Sequence, residues 1–222
     1  MKPLARKRFA RKVVGYAVEH KADIKVDTVA AQRGGLAFTL TNKAGFFLRT
    51  PVWGNVYNAL AAIACGRLFG IAFADMARAI KRTKPAKGRQ CFYAIKGVTV
   101  VDDTYNSNPV SFRNALRTLS LMERKGRSFV VAGDMLELGE GAEGIHSAVG
   151  ESAAQAGVDR MLTFGRWAGR IGVRARELRP SLEAHHFSKQ EDILKILRRD
   201  VRPGDVVLVK GSRGMRMEHI VN

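Results

Sequence analysis

Cysteine, tryptophan and acid are all scarce in this 222-residue chain: two Cys, two Trp, and 20 Asp plus Glu against 38 Lys plus Arg. The cysteines, Cys65 and Cys91, stand alone without metal-type spacing, which excludes a disulfide framework and argues against a zinc site. No apolar run approaches the ~18 residues a transmembrane helix needs, so no membrane span is expected. Repeats and low-complexity segments are missing as well. The deficit of acid leaves a formal net charge of +18. That charge attracts something anionic (nucleic acid, a phosphate-bearing ligand or a membrane surface) without saying which. One missing dipeptide excludes more than any of these. No glycine is followed by lysine, and a P-loop needs that pair: the glycine lets the backbone wrap the phosphates and the lysine reaches the terminal ones. These residues carry no Walker-type nucleotide site of their own.

What is present is ordinary globular material. The chain is 46% hydrophobic and 26% charged, long enough for one large domain or two small ones with a real core. Lys2, Arg6, Lys7, Arg8, Arg11 and Lys12 open it without an acid. The apolar stretch that follows, Val13 to Val18, is too short for a signal peptide and is ended by Glu19 and His20. An exposed basic segment is the commoner explanation than an organellar transit peptide, and a cytoplasmic location is the default expectation.

Strand-like runs Ile24–Val29, Leu36–Leu40 and Phe46–Leu48, broken by Gly34-Gly35 and Asn42, give way at Asn55 to helical spacing. Val56, Leu60, Ile63 and Leu68 are expected on or near one helical face, Gly70 breaks that helix, and a second carries Phe73, Met76 and Ile80. The basic stretch from Lys81 to Arg89, with Pro85 and Gly88, reads as a linker, so residues 1–84 and 85–222 are expected to form separate domains. Beyond it, strand-like runs Cys91–Ile95, Val98–Val101, Phe129–Ala132, Arg160–Phe164 and Val206–Val209 alternate with helical stretches near Pro109–Met122, Ile145–Ala156, Trp167–Arg176 and Lys189–Arg199. Asn108 before Pro109, and Ser188 with Glu191, read as helix starts. The alternation predicts an α/β fold with a mostly parallel sheet covered on both faces. Ligands bind such sheets beyond the carboxyl ends of strands, which singles out Asp102-Asp103, Gly133-Asp134, Gly165-Arg166 and Lys210-Gly-Ser-Arg213.

Several patterns at these positions compete with bland explanations. Gly139-x-Gly141-x-x-Gly144 matches a dinucleotide fingerprint, but Glu137, Glu140 and Glu143 crowd it with charge that repels phosphate. Asp102-Asp103-Thr-Tyr-Asn106-Ser-Asn108-Pro109 could hold ribose hydroxyls or a cation beside a helix N-terminus, or could only cap and turn. Lys210-Gly-Ser212-Arg213-Gly214 could cradle a carboxylate or phosphate, or be a solvated loop. Arg89 alone reads as an exposed cation. His20, His146, His185, His186 and His219 show no metal spacing, and nothing completes a nucleophile–base–orienter set with Asp134 and Glu137.

Three of these segments together resemble the Mur ligase family: Val101-Asp-Asp-Thr-Tyr-Asn-Ser-Asn-Pro109, Val131-Ala-Gly-Asp-Met-Leu-Glu-Leu-Gly139 followed by His146, and Val209-Lys-Gly-Ser-Arg-Gly-Met215. Asn55-Val-Tyr-Asn58-Ala-Leu-Ala-Ala62 is similar to the family's H-N-x-x-N-A-L-A-A helix, and Lys87-Gly-Arg89 to its G-R element. The order of all five matches. The resemblance implies a Rossmann-like domain from about Pro85, preceded by the tail of a central ATP-binding domain. It also implies an amide-bond ligase: ATP with Mg2+ activates the carboxylate of UDP-MurNAc-tripeptide, and the amine of D-alanyl-D-alanine attacks it. Carried over by motif, Asn55 and Asn58 lie near adenine, Asp103 takes the ribose, and Arg89 approaches the phosphates with Lys210 as its catalytic companion. Asn106, Asn108, Lys210, Ser212 and Arg213 serve the incoming substrate.

The pattern departs where Gly54 replaces the His before Asn55. The family's P-loop, metal-binding carboxylate and UDP-binding domain are not among these residues, so the resemblance implies partner domains supplied in cis or in trans. Two other readings remain: a basic Rossmann-like module that binds an anionic nucleotide or nucleic acid, and a non-catalytic partner of a separate ATP domain. Nucleic acid is the weaker of these, because the basic residues are spread along the chain.

Overall fold

The computed structural model describes residues 13–84 and 86–221. The basic opening segment and Pro85 lie outside them. The chain divides into two compact units, Met1–Lys84 and Pro85–Asn222.

The first unit holds strands β1 (Tyr16–Ala17), β2 (Ile24–Gln32), β3 (Gly35–Leu40) and β4 (Gly45–Leu48), then helices α1 (Gly54–Leu68) and α2 (Phe73–Arg82). β2, β3 and β4 form an antiparallel meander, with the short β1 parallel to β2. Alternation along the strands turns Val26, Phe38, Leu40, Phe46 and Leu48 inward, where they meet Val56, Leu60, Ile63, Met76 and Ile80. Phe38 stacks on Phe46 with ring centroids 5.1 Å apart. Leu68 stands near that face rather than on it and is 45% exposed. Eight residues beyond Leu60 it has swung roughly 80° around the helix axis, off the buried stripe.

The second unit opens with a hairpin, β5 (Cys91–Ile95) and β6 (Val98–Asp103), and continues through α3 (Pro109–Leu121), β7 (Ser128–Gly133), α4 (Ala142–Gln155), β8 (Arg160–Phe164), α5 (Gly169–Leu178), β9 (Glu183–Phe187), α6 (Gln190–Asp200) and β10 (Val206–Lys210). Sheet order is β5-β6-β10-β7-β8-β9. Only β5 runs antiparallel to its neighbour. One face, with Val101, Val130, Ala132, Met161, Val206 and Leu208, packs on α3, α4 and α5. The other, with Phe129, Val131, Leu162, Val207 and Val209, packs on α6 and the turn around Met217 and Ile220. The expected mostly parallel, doubly covered sheet is the architecture observed.

One element is unforeseen and one local expectation fails. β9 was not anticipated, since Glu-Ala-His-His-Phe offers no apolar run; it is an edge strand with much of its length exposed. The Ser188–Glu191 capping box does not form, because α6 starts at Gln190 and its N-cap is Lys189, one residue past Ser188, with no side-chain cap bond. Asn108 does cap α3. Its Oδ1 accepts from the Ser111 N–H at 2.8 Å while Ser111 Oγ accepts from the Asn108 N–H at 3.1 Å, and Pro109 stands first in the helix.

Candidate functional site

β6, β10, β7 and β8 lie side by side and parallel, so their carboxyl ends bring four loops together. The register sets Lys210 of β10 directly beside Asp103 of β6. Lys210 is 1% exposed, and its Nζ donates to Asp103 Oδ2 at 2.7 Å and to the Asn106 carbonyl at 3.0 Å. Burial pushes the Asp103 carboxyl above the usual carboxylate range and the Lys210 ammonium below the usual lysine range; their mutual attraction opposes both shifts. Gln90 also reaches Asp103, through both its backbone and its side-chain amide, from a left-handed backbone conformation (φ 49°).

The segment after β6 is folded on itself. Asp102 Oδ1 accepts from the Thr104 N–H and hydroxyl at 3.2 and 2.6 Å. Asn106 Oδ1 accepts from the Ser107 N–H at 2.8 Å. Ser212 bridges two loops, donating to the Ser107 carbonyl at 3.2 Å and accepting from the Leu136 N–H at 2.9 Å. Two cations flank one ring: the Arg89 guanidinium lies 4.2 Å and that of Arg213 5.8 Å from the Tyr105 centroid. In this segment Gln90 Oε1 and Ser107 Oγ are buried without a protein partner. Leaving such atoms unsatisfied costs free energy.

A second cluster shapes the loop after β7. The Asp134 carboxylate accepts three backbone N–H groups from the β8–α5 loop, those of Arg166, Trp167 and Ala168, at 2.7–2.9 Å. Gly165, at φ +118°, leaves room for it: a Cβ there would sit 2.6 Å from the carboxylate. His146 holds the same turn from α4, its Nε2 accepting from the Met135 N–H at 2.9 Å and its Nδ1 lying 2.6 Å from the Ala142 carbonyl. Accepting at Nε2 and donating at Nδ1 makes this imidazole neutral. Its 4.0 Å approach to Asp134 is therefore not an ion pair. The Gly139–Gly141 segment is a single 3-10 turn leading into α4, not a glycine loop at a strand end.

Of the residues singled out from sequence, Asp103, Asn106, Lys210 and Ser212 converge, with Arg89 and Arg213 beside them on Tyr105. Asn108 Oδ1 is occupied by the cap of α3. Asn55 and Asn58 stand in the first unit on the opening turns of α1, where Asn58 Nδ2 donates to Asn55 Oδ1 at 2.9 Å. Lys210 is not the free cation a glycine cradle suggests; it is spent on a buried carboxylate. Gln90 and Tyr105 were missed, because a lone Gln or Tyr carries no spacing signal. Among the described residues no three of His, Cys, Asp and Glu converge as a cation cage, and no helix is long and apolar enough to cross a membrane.

A family model described as "Mur ligase, glutamate ligase domain" matches residues 88–213. The UDP-N-acetylmuramoyl-tripeptide–D-alanyl-D-alanine ligase of Bacillus subtilis is 31% identical over 222 residues, taking in 99% of this chain and 48% of that protein. Among solved structures, the MurF ligase of Thermotoga maritima in complex with ADP is 28% identical with a TM-score of 0.75, covering 94% of this chain and 47% of that one. A MurF structure from Acinetobacter baumannii reaches a TM-score of 0.79 at 24% identity, over 94% of this chain and 45% of the other; it speaks for the fold. The chain spans about half the length of the B. subtilis relative.

Proposed function

Since the chain belongs to the Mur ligase family, we propose that it is the C-terminal portion of an ATP-dependent ligase that joins D-alanyl-D-alanine to UDP-MurNAc-tripeptide in the cytoplasm. In this reading the first unit is the tail of the central ATP-binding domain and the second is the Rossmann-like ligase domain. The observation that carries the proposal is the convergence of Asp103, Asn106, Lys210 and Ser212 at adjacent strand ends, within a chain that aligns along nearly its whole length with the B. subtilis ligase.

The residues present fit a nucleotide. Asp103 already accepts from Lys210 and Gln90 and keeps acceptor capacity for a ribose hydroxyl. Arg89 and Arg213, stacked against Tyr105, offer guanidinium forks to phosphate or carboxylate oxygens. The buried Lys210 positions Asp103 and the Asn106 carbonyl, while Ser212 ties the β6 loop to the β7 loop so that both present one surface. By motif alone, Asn55 and Asn58 of the first unit remain the candidates for adenine. When bound, ATP would supply the phosphoryl group that activates the substrate carboxylate; positioning and neutralisation of developing negative charge are what these side chains add. The described residues do not form a cage for Mg2+, whose ligands would come with the P-loop, in cis or in trans.

Pure chain mixed with ATP, Mg2+ and both substrates is expected to form little or no amide. Robust ATP-dependent amide formation would refute the incomplete site. Asp103→Ala is expected to lower ATP affinity only in a complex that contains a P-loop. Tight ATP binding by the isolated chain, lost on that change, would overturn the assignment.

A further inference from the structure

The two faces of the second sheet are unequally covered, three helices on one and α6 on the other. On the α6 side the β5–β6 register pairs Tyr93 with Val100 and Ile95 with Val98, and Val100 pairs onward with Val207 of that same face. Tyr93 is 39% and Ile95 47% exposed. Behind the hairpin lies a groove of about 570 Å³ whose apolar lining includes Ile95, Val98, Val100, Leu197, Val201 and Val209; its charged lining residues are Lys96 and Arg198, with no acid.

Backbone bonds bring more cations to the same end. The hairpin turns through Lys96 and Gly97, both with positive φ (49° and 80°). The Gly204 N–H donates to the Gly97 carbonyl at 2.8 Å and the Gly126 N–H to the Gly204 carbonyl at 3.0 Å. These bonds tie the loops that carry Lys96, Lys125 and Arg202 into one rim, and Arg198 of α6 lies along it. All four side chains are exposed. β6 runs from Val98 to Asp103, so this rim and the candidate site lie at opposite ends of a strand about 17 Å long.

We propose that this end of the second unit docks on an anionic lipid bilayer, with Ile95 and the groove taking acyl chain and Lys96, Lys125, Arg198 and Arg202 meeting headgroup phosphates. An apolar tip beside a cluster of cations supplies the two signals that interfacial binding needs. The formal net charge of +18 draws the whole chain to such a surface and disfavours a second copy of itself as the occupant. Docked this way, the carboxyl ends of β6 and β10 face away from the bilayer. The inference does not depend on the ligase reading.

The test is co-sedimentation of the full chain with vesicles of phosphatidylglycerol and phosphatidylcholine in equal parts, against phosphatidylcholine alone. Binding is expected to the anionic vesicles only, and to weaken as salt rises. Each rim cation removed is expected to lower partitioning about five-fold, so Lys96→Gln with Lys125→Gln and Arg198→Gln gives roughly a hundred-fold loss. Ile95→Ser is expected to cost a further several-fold. The matched change of three exposed cations elsewhere, Arg33→Gln with Lys81→Gln and Arg113→Gln, is expected to cost far less. Circular dichroism checks that each variant folds; should the rim triple variant fail to fold, Lys96→Gln at the exposed turn is read alone. No binding to anionic vesicles overturns the proposal, including the case where only an acidic peptide binds. So does equal loss from rim and control triples, or an Ile95→Ser variant that binds as tightly as the parent.

Discussion

At the residue scale the candidate site is built on one buried pair, Lys210 with Asp103. Replacing Lys210 by Met would leave the carboxylate buried without its cationic partner, and breaking such pairs costs about 3–5 kcal/mol. Urea unfolding at pH 7 should show that loss. The sign with pH follows from the raised Asp103 carboxyl. Without Lys210 the folded state holds a proton on Asp103 more tightly than the unfolded chain does, so the deficit should shrink as pH falls. A deficit that grows in acid would contradict this. Gly165→Ala probes the other cluster. Its Cβ would press on the Asp134 carboxylate from a left-handed backbone position, and we expect about 1–3 kcal/mol of destabilisation by thermal melting. Sequence alone points to Asp103 and Lys210 as strand-end residues. It does not show that they face each other, because that depends on which strand lies beside β6, and β10 comes more than a hundred residues later.

Among the elements, those with strong local grammar are the legible ones. The valine-rich strands β6, β7 and β10 and the Asn108-Pro109 start of α3 stand where apolar runs and cap residues put them. β9 is not legible, since an exposed edge strand needs no apolar alternation, and the Ser188 box fails by a shift of one residue. Asn108→Ala should cost about 1 kcal/mol, with Asn108→Asp keeping most of the cap. At the far end of α6, Asp200 accepts from Arg199 at 2.6 Å and from Arg160, and these guanidiniums hold its carboxyl well below the usual carboxylate range. Its contribution is therefore present above the ordinary carboxylate pKa of about 4 and fades as pH falls through the lower folded value. The expected outcome is that Asp200→Asn narrows the stability difference between pH 7 and pH 3, read from melting temperatures.

At the scale of the whole molecule, each of the two compact units has core clusters of its own, which predicts unfolding in two transitions rather than one. Calorimetry of the full chain should resolve them, and residues 86–221 expressed alone should retain the second. A single transition whose calorimetric and van't Hoff enthalpies agree would contradict this. The split at Lys84 falls in the basic, proline- and glycine-bearing stretch where the sequence changes character.

The sheet order β5-β6-β10-β7-β8-β9 also sets a timetable. The strand that fills the gap between β6 and β7 is made after both of them, and after β8 and β9. While the chain emerges from the ribosome, β6 and β7 have no hydrogen-bonding partner on their facing edges, and Asp103 waits without its lysine. The sheet can therefore be completed only once β10 is released, and the strand that completes it is also the one that brings Lys210 to Asp103.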